Sequence, residues 1–244
     1  KSSFLVSGRR TYGFDLAQPF IRQTDFAGTN YFFYDLNAKM NYQFSQKDRI
    51  YLSGYFGRDV LTFAQPGRDF QFTLPYGNAT ATLRWNHLFT EKLFFNLSAI
   101  YNDYQFKAGF EQEEFNFDIF SGVRDFTAKF DFDYFPSNDH QVKTGIHATK
   151  HRLTPNIIRG SAGETEFENT ATAKYANEYA IYLQDDWKIN PWFRVNLGLR
   201  GTLFQQIGPY TSGINGEVYE TGEVVKTYSS LEPRIFINTS LNPN

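Results

Sequence analysis

Residues 31–44 read Tyr31-Phe32-Phe33-Tyr34-Asp35-Leu36-Asn37-Ala38-Lys39-Met40-Asn41-Tyr42-Gln43-Phe44. Phe32, Tyr34, Leu36, Ala38, Met40, Tyr42 and Phe44 occupy one parity, and Asp35, Asn37, Lys39, Asn41 and Gln43 mostly fill the other. A period of two is a β-strand with one apolar face. The run also exceeds ten residues, whereas strands of soluble proteins usually have about 5 or 6.

The same alternation recurs along the chain. It shows in Ile50, Leu52 and Phe56; in Ala79, Ala81, Leu83 and Trp85; and in Leu93, Phe95, Leu97, Ala99 and Tyr101. A regular run follows in Phe126, Ala128, Phe130, Phe132 and Tyr134, set against Asp125, Lys129, Asp131 and Asp133. Val142 to Ala148, Tyr179 to Leu183, Val195 to Leu199, and Ile235, Ile237 and Leu241 complete the set, with a less regular opening strand near Phe4 to Tyr12. About ten strands result, and no helix-period segment competes with them.

The connections alternate in length. Short polar turns are predicted at Ser45 to Asp48, Thr90 to Lys92, Pro136 to His140 and Asn190 to Phe193, with another beginning at Asn242. Longer, irregular, Gly-rich stretches are predicted at 13 to 29, 61 to 75, roughly 107 to 114, 152 to 174 and 204 to 227. Short turns on one rim and long loops on the other are the arrangement of transmembrane β-barrels, the short ones facing the periplasm. Trp85, Trp187 and Trp192 all fall in or near short turns, where they are expected to form the periplasmic aromatic girdle.

Composition agrees. The 244 residues are 19% aromatic yet have a mean hydropathy of -0.49, which suits elements with one apolar and one wet face. No run approaches the roughly 18 apolar residues of a membrane-spanning helix, and none resembles a signal-peptide core. A formal charge of -2 with interleaved signs offers no basic stripe for nucleic acid. Zero Cys removes disulfides, thiolate metal sites and a cysteine nucleophile. No P-loop, His-Glu-x-x-His or Gly-x-Ser-x-Gly string occurs, so an enzyme is not expected and neither is a cofactor.

Parity assigns Asp35, Lys39, Arg84, Lys129, Asp131, Lys143, Arg200, Glu232 and Arg234 to the barrel interior. There they would meet a plug or a solute, or simply form cross-strand ion pairs worth about a kilocalorie or less each. His147 and His151 share a face but lie four residues apart, about 13 Å along a strand, too far to hold one ion at about 2 Å each; no metal site is expected. His87 reads as interfacial and His140 as a turn residue. Asp185 falls on the apolar parity, close enough to a turn that its cost should be small. Asp185-Asp186 lies near the periplasmic rim, and the Glu111, Glu113, Glu114 cluster has no neighbouring His, so neither reads as acid-base machinery. Phe14, Arg68, Phe70, Arg159 and Tyr210 in the long loops are candidates to touch a ligand.

Several strings resemble the barrels of TonB-dependent outer-membrane receptors. These are Tyr182-Leu183-Gln184-Asp185-Asp186-Trp187 leading to the Asn190-Pro191 turn, Asn196-Leu197-Gly198-Leu199-Arg200, and Leu231-Glu232-Pro233-Arg234, in that order. Gly201 departs from the aromatic usual after the Gly-Leu-Arg string. Ser7-Gly8-Arg9-Arg10-Thr11-Tyr12 and Tyr51-Leu52-Ser53-Gly54-Tyr55-Phe56 also look like the branch with a carboxypeptidase-regulatory-like N-terminal domain. The resemblance covers essentially the whole chain. It implies a plugged barrel of about 22 strands in the outer membrane of a Gram-negative bacterium. Such a barrel imports a metal chelate, cobalamin or glycan, with energy from the TonB complex acting on the plug. On that basis residues 1–244 are expected to be five hairpins of a larger barrel wall in contact with outer-membrane lipid, with no plug domain. The alternatives are a self-contained ten-stranded barrel acting as a passive channel or structural protein, and a soluble β-rich binding module whose apolar parity would be buried in a core.

Overall fold

A computed structural model describes residues 1–24, 27–65, 70–169, 171–214 and 216–240. The strands are β1 (Ser2–Arg10), β2 (Asn30–Gln43), β3 (Asp48–Gln65), β4 (Phe70–Thr90), β5 (Leu93–Gln112), β6 (Phe115–Tyr134), β7 (His140–Ala162), β8 (Thr165–Glu168), β9 (Lys174–Asn190), β10 (Phe193–Ile207), β11 (Tyr210–Thr211), β12 (Val218–Tyr219) and β13 (Val224–Thr239). One helix, α1 (Gly13–Ile21), stands between β1 and β2. Ten long antiparallel strands form one open sheet in the order β1-β2-β3-β4-β5-β6-β7-β9-β10-β13, with β8 pairing onto β7 and β11–β12 as a separate hairpin. The edge strands β1 and β13 do not pair with each other.

No apolar core exists to explain the alternation. Among the described residues the only buried apolar side chains are Pro75, Ala176 and Ala180. The apolar parity is instead open: Leu36 is 50% exposed, Leu83 47%, Ile181 60% and Leu183 57%. At about 25 cal/mol per Å², an apolar face this wide is stable only against an apolar surrounding, which rules out the buried-core alternative. We call this the outer face and its opposite the inner face.

The registers fix the shape of the apolar band. Lys150, Phe126, Tyr101, Ala81 and Gly54 form one cross-strand row. Ascending the outer face from the short-turn rim, the first charge is Lys150 on β7, Asp103 on β5 and Arg58 on β3. Relative to that common row the edge therefore climbs two residues by β5 and four by β3. Four residues are about 14 Å of strand and four strand spacings about 19 Å, a tilt of about 35°, as in outer-membrane barrels. The lower edge is marked by Asp48 on β3 and His140 on β7, each ten residues below the upper edge. Ten residues span about 34 Å, or about 28 Å of height at that tilt, against about 25 Å for the apolar band of such barrels.

Two similar clusters sit at the lower edge. His87 Nδ1 lies 2.7 Å from Asp48 Oδ1, and the Trp85 indole donates to the same oxygen at 3.1 Å. His140 Nδ1 lies 2.7 Å from Asp185 Oδ2 and its ring stacks on Trp187 at 5.4 Å. Asp185 therefore has a partner on its own face. His140 opens β7 rather than sitting free in a turn, and Trp192 lies exposed in the turn after β9.

Three of the predicted long loops are mostly strand. Residues 61 to 65 continue β3 and residues 70 to 75 belong to β4, residues 107 to 114 reduce to a turn at Glu113-Glu114, and residues 152 to 162 extend β7. Alternation fades there because neither face meets lipid, yet the backbone still needs its hydrogen bonds and finds them across the hairpin. Glu113 takes a left-handed φ of 52° to close the two-residue turn, a geometry favouring such loops. Above Asp103, β5 runs nine more residues, about 30 Å of strand, so the hairpins rise well past the apolar band. The 13 to 29 stretch likewise contains α1, which the strand periodicity did not announce. So short a helix is marginal alone; Phe14 packs edge-on against Tyr31 at 6.4 Å and the Gln18 side chain donates to the Thr29 carbonyl at 3.1 Å. The stretch 204 to 227 holds the end of β10, the β11–β12 hairpin and the start of β13. Leu241 and the turn at Asn242 lie outside the described residues.

Candidate functional site

The inner face carries two zones: a polar lattice level with the apolar band, and an aromatic ridge on the hairpins beyond it. Every one of the nine charged residues singled out by parity lies on the inner face by register, opposite Leu83 and Leu199. One row runs Asn96, Asp131, Gly145, Tyr182, Arg200, Glu232 from β5 to β13. It brings Asp131, Arg200 and Glu232 to one level.

The ties along this lattice are local. Asp131 Oδ1 accepts from the Tyr182 hydroxyl at 2.8 Å and lies 2.8 Å from His147 Nε2. Tyr182 reaches it over Gly145, where a Cβ would come within 2.5 Å of Asp131 Oδ1 and 2.7 Å of the Tyr182 ring. His151 Nδ1 lies 2.8 Å from Asp125 Oδ1, so each of the two histidines meets its own carboxylate. Arg200 reaches Glu178 at 3.8 Å, Lys143 reaches Asp133 at 3.7 Å, and Glu232 accepts from Arg234 at 3.0 Å and Thr202 at 3.2 Å. Asp35, at 7% exposure, accepts from Arg9, and Arg84 donates to the buried Ser98 at 3.3 Å. Lys39 and Lys129 have no ion pair among the described residues, and Asp35 and Lys39 stand well away from the Asp131 row. Sequence reasoning missed His147, Tyr182 and Gly145 as lattice members, since only register shows that they meet.

The second zone is a chain of rings across five strands. Phe63 meets Phe70 at 5.8 Å, Phe70 meets Phe110 at 5.3 Å, Phe110 meets Phe115 at 5.9 Å and Phe115 meets Phe167 at 6.3 Å. These centroid separations are in the range of favourable edge and offset contacts. Phe70 thus sits mid-ridge; it and Phe63, Phe110 and Phe167 were hidden in stretches taken for loops, although the spacings Phe70-x-Phe72 and Phe115-x-Phe117 signal a strand face. Of the other loop residues, Arg159 is paired with Glu168 at 3.0 Å, and Lys174 lies over the Tyr210 ring at 5.0 Å. Arg68 lies outside the described residues. An aromatic shelf above a charged lattice can hold a planar or amphiphilic solute before it meets the polar interior.

The fold has counterparts among solved structures. The siderophore receptor PiuA from Acinetobacter baumannii matches all of this chain over 43% of its own, at a TM-score of 0.62 and 11% identity. The ferric-catecholate import receptor Fiu from E. coli K12, in its closed form, matches all of it over 44%, at 0.54 and 14%. The chain has the fold of part of a TonB-dependent receptor barrel. The ferric citrate transporter FecA shares this receptor-barrel fold over 88% of the chain and 34% of its own, at 0.57 and 14% identity. The chain spans less than half the length of these receptors. No protein-family model matches the sequence, and no curated protein sequence does either. In the receptor-barrel fold, side chains of the inner face point to the lumen, and the aromatic ridge stands on the side of the long hairpins.

Proposed function

We propose that residues 1–244 form five hairpins of the wall of a TonB-dependent importer in the outer membrane of a Gram-negative bacterium. The carrying observation is the outer-face apolar band, about 28 Å tall and tilted by about 35°, with no core behind it. The open edges at β1 and β13 support completion by further strands, toward a barrel of about 22, over a self-contained ten-stranded channel. In the whole protein a plug fills the lumen against Asp131, Arg200 and the other inner-face charges. The TonB complex acts on that plug. Trp85, Trp187 and Trp192 form the periplasmic girdle.

The cargo is a scarce nutrient of the metal-chelate, cobalamin or glycan class. The siderophore, ferric catecholate and ferric citrate in the names of PiuA, Fiu and FecA favour the first, and the ridge around Phe70 and Phe110 suits an aromatic chelate. The resemblance of the strings Ser7 to Tyr12 and Tyr51 to Phe56 supports membership of the branch with a carboxypeptidase-regulatory-like N-terminal domain.

The test is deletion of the native gene followed by growth on limiting iron chelate, cobalamin or glycan as the required nutrient. Failure on one of them, rescued by the intact gene but not by a copy lacking the plug or in cells lacking TonB, is expected. Normal growth of the deletion strain on all three, with passive solute leakage lost instead, would overturn the importer in favour of a channel.

A further inference from the structure

The outer face is not uniformly suited to bulk lipid tails. Ala99, Ala128 and Ala148 stand side by side in one row on β5, β6 and β7, continued by Leu83 and Tyr179. Tyr101 and Phe126 stand in the row above, and Leu97, Phe130 and Ile146 in the row below. Three methyl groups between rows of large side chains leave a depression. It has a volume of about 600 Å³ and is lined almost wholly by carbon, with Lys150 and Asn177 at its rim. A smaller pocket of about 240 Å³ adjoins it above, where Ala79 and Asp103 follow Ala81 and Tyr101; Arg58 and Lys107 line it.

The charges around this upper end are unbalanced. Arg58, Lys107, Arg124, Lys150 and Arg152 share the outer face there with Asp103 and Asp118, and Glu111 stands one row above Asp118. Asp103 is committed to Arg124 at 2.7 and 3.0 Å and to the Tyr101 hydroxyl at 2.9 Å, and Asp118 to Lys107 at 2.9 Å. Arg58, Lys150 and Arg152 have no ion pair among the described residues. Arg152 even stands directly opposite Arg124 in the β6–β7 register, and like charges placed so repel. Asp103 offsets Arg124 but not Arg152, whose planar guanidinium matches phosphate geometry.

We propose that the outer face of β4 to β7 binds one phosphorylated, multiply acylated lipid of the outer leaflet. An acyl chain lies on the alanine floor, one phosphate is held by Lys150 and Arg152 on β7, and a second phosphate of the same lipid faces Arg58 on β3. The inference rests on the reading that this face meets the bilayer. It adds a lipid site on the wall, apart from the inner-face solute path.

The test is native mass spectrometry of the protein as its own cell makes it, extracted in mild detergent. The probes are bis-phosphorylated hexa-acyl lipid A, the same lipid with both phosphates removed, and phosphatidylethanolamine. Lipid A should be retained at least tenfold more tightly than either of the others. The triple variant R58A/K150A/R152A should lose that preference. Ala128→Leu, which fills the floor and leaves the cations in place, should weaken retention of lipid A while heat-modifiable gel mobility shows the barrel still folded. Equal retention of phosphorylated and dephosphorylated lipid by a folded, detergent-requiring barrel would overturn this inference alone. A protein that stays soluble without detergent would overturn the membrane reading and this inference with it.

Discussion

Tyr182 on β9 donates its hydroxyl to Asp131 on β6 at 2.8 Å, passing over Gly145 of the intervening β7. Two strands that are not neighbours are thereby tied through the only residue type that leaves room. Gly145→Ala should destabilise the barrel by about 1–3 kcal/mol, because the added methyl must displace Asp131, Tyr182 or the Phe130 carbonyl. Tyr182→Phe should cost about 1 kcal/mol, the worth of the lost hydrogen bond. Urea unfolding of the full-length protein in detergent reads both; an unshifted midpoint for Gly145→Ala would deny the crossing.

Leu83 sits near mid-height of the apolar band, whereas Val142, opposite Asp185, stands one row above the lower edge at His140. Leu83→Arg should therefore cost about 2–4 kcal/mol and Val142→Arg about 0–1 kcal/mol. Unfolding in lipid vesicles measures the difference, and equal costs would mean that the outer face has been assigned the wrong depth.

The ridge from Phe63 to Phe167 lies beyond the band, so its rings stabilise the membrane wall little. The double variant F70A/F110A should leave thermal unfolding of the barrel nearly unchanged. Uptake of whichever nutrient the deletion strain lacks should show an apparent KM raised about tenfold, since each aromatic contact is worth about 0.5–1.5 kcal/mol. A changed maximal rate at constant KM would place the ridge outside the solute path.

Tyr219, in the β11–β12 hairpin, has its phenol pKa raised, chiefly by its hydrogen bond to Glu217 and then by burial. Its ring also meets Tyr210 at 6.3 Å. A raised folded value means that this contact contributes to hairpin stability below the ordinary tyrosine range, about 10, and that the contribution is lost as pH rises through the higher folded value. The difference in ultraviolet phenolate absorbance between wild type and Tyr219→Phe should thus titrate above pH 10 or so. Titration below that point would show that the hairpin does not form.

Much of this was legible in residue order. A strand crossing a bilayer must alternate, because lipid wets one side and the lumen the other, so Tyr31 to Phe44 and Phe126 to Tyr134 declared their strands and their faces. The short turns were marked by Asn, Pro, Ser and Asp. Asp185, read as a small anomaly, could be placed near the rim but not given its partner, since His140 lies 45 residues away.

Beyond the membrane the constraint disappears. In β3 to β7 above Arg58 and Asp103 both faces are wet, no period of two is imposed, and hairpins look like loops in sequence although the backbone pairs to the tip. Alternation alone thus determined which residues face which way within the band. The cross-strand register, set by backbone hydrogen bonds between distant segments, decided which residues meet: Tyr182 with Asp131 over Gly145, three alanines in one row, and Arg152 opposite Arg124.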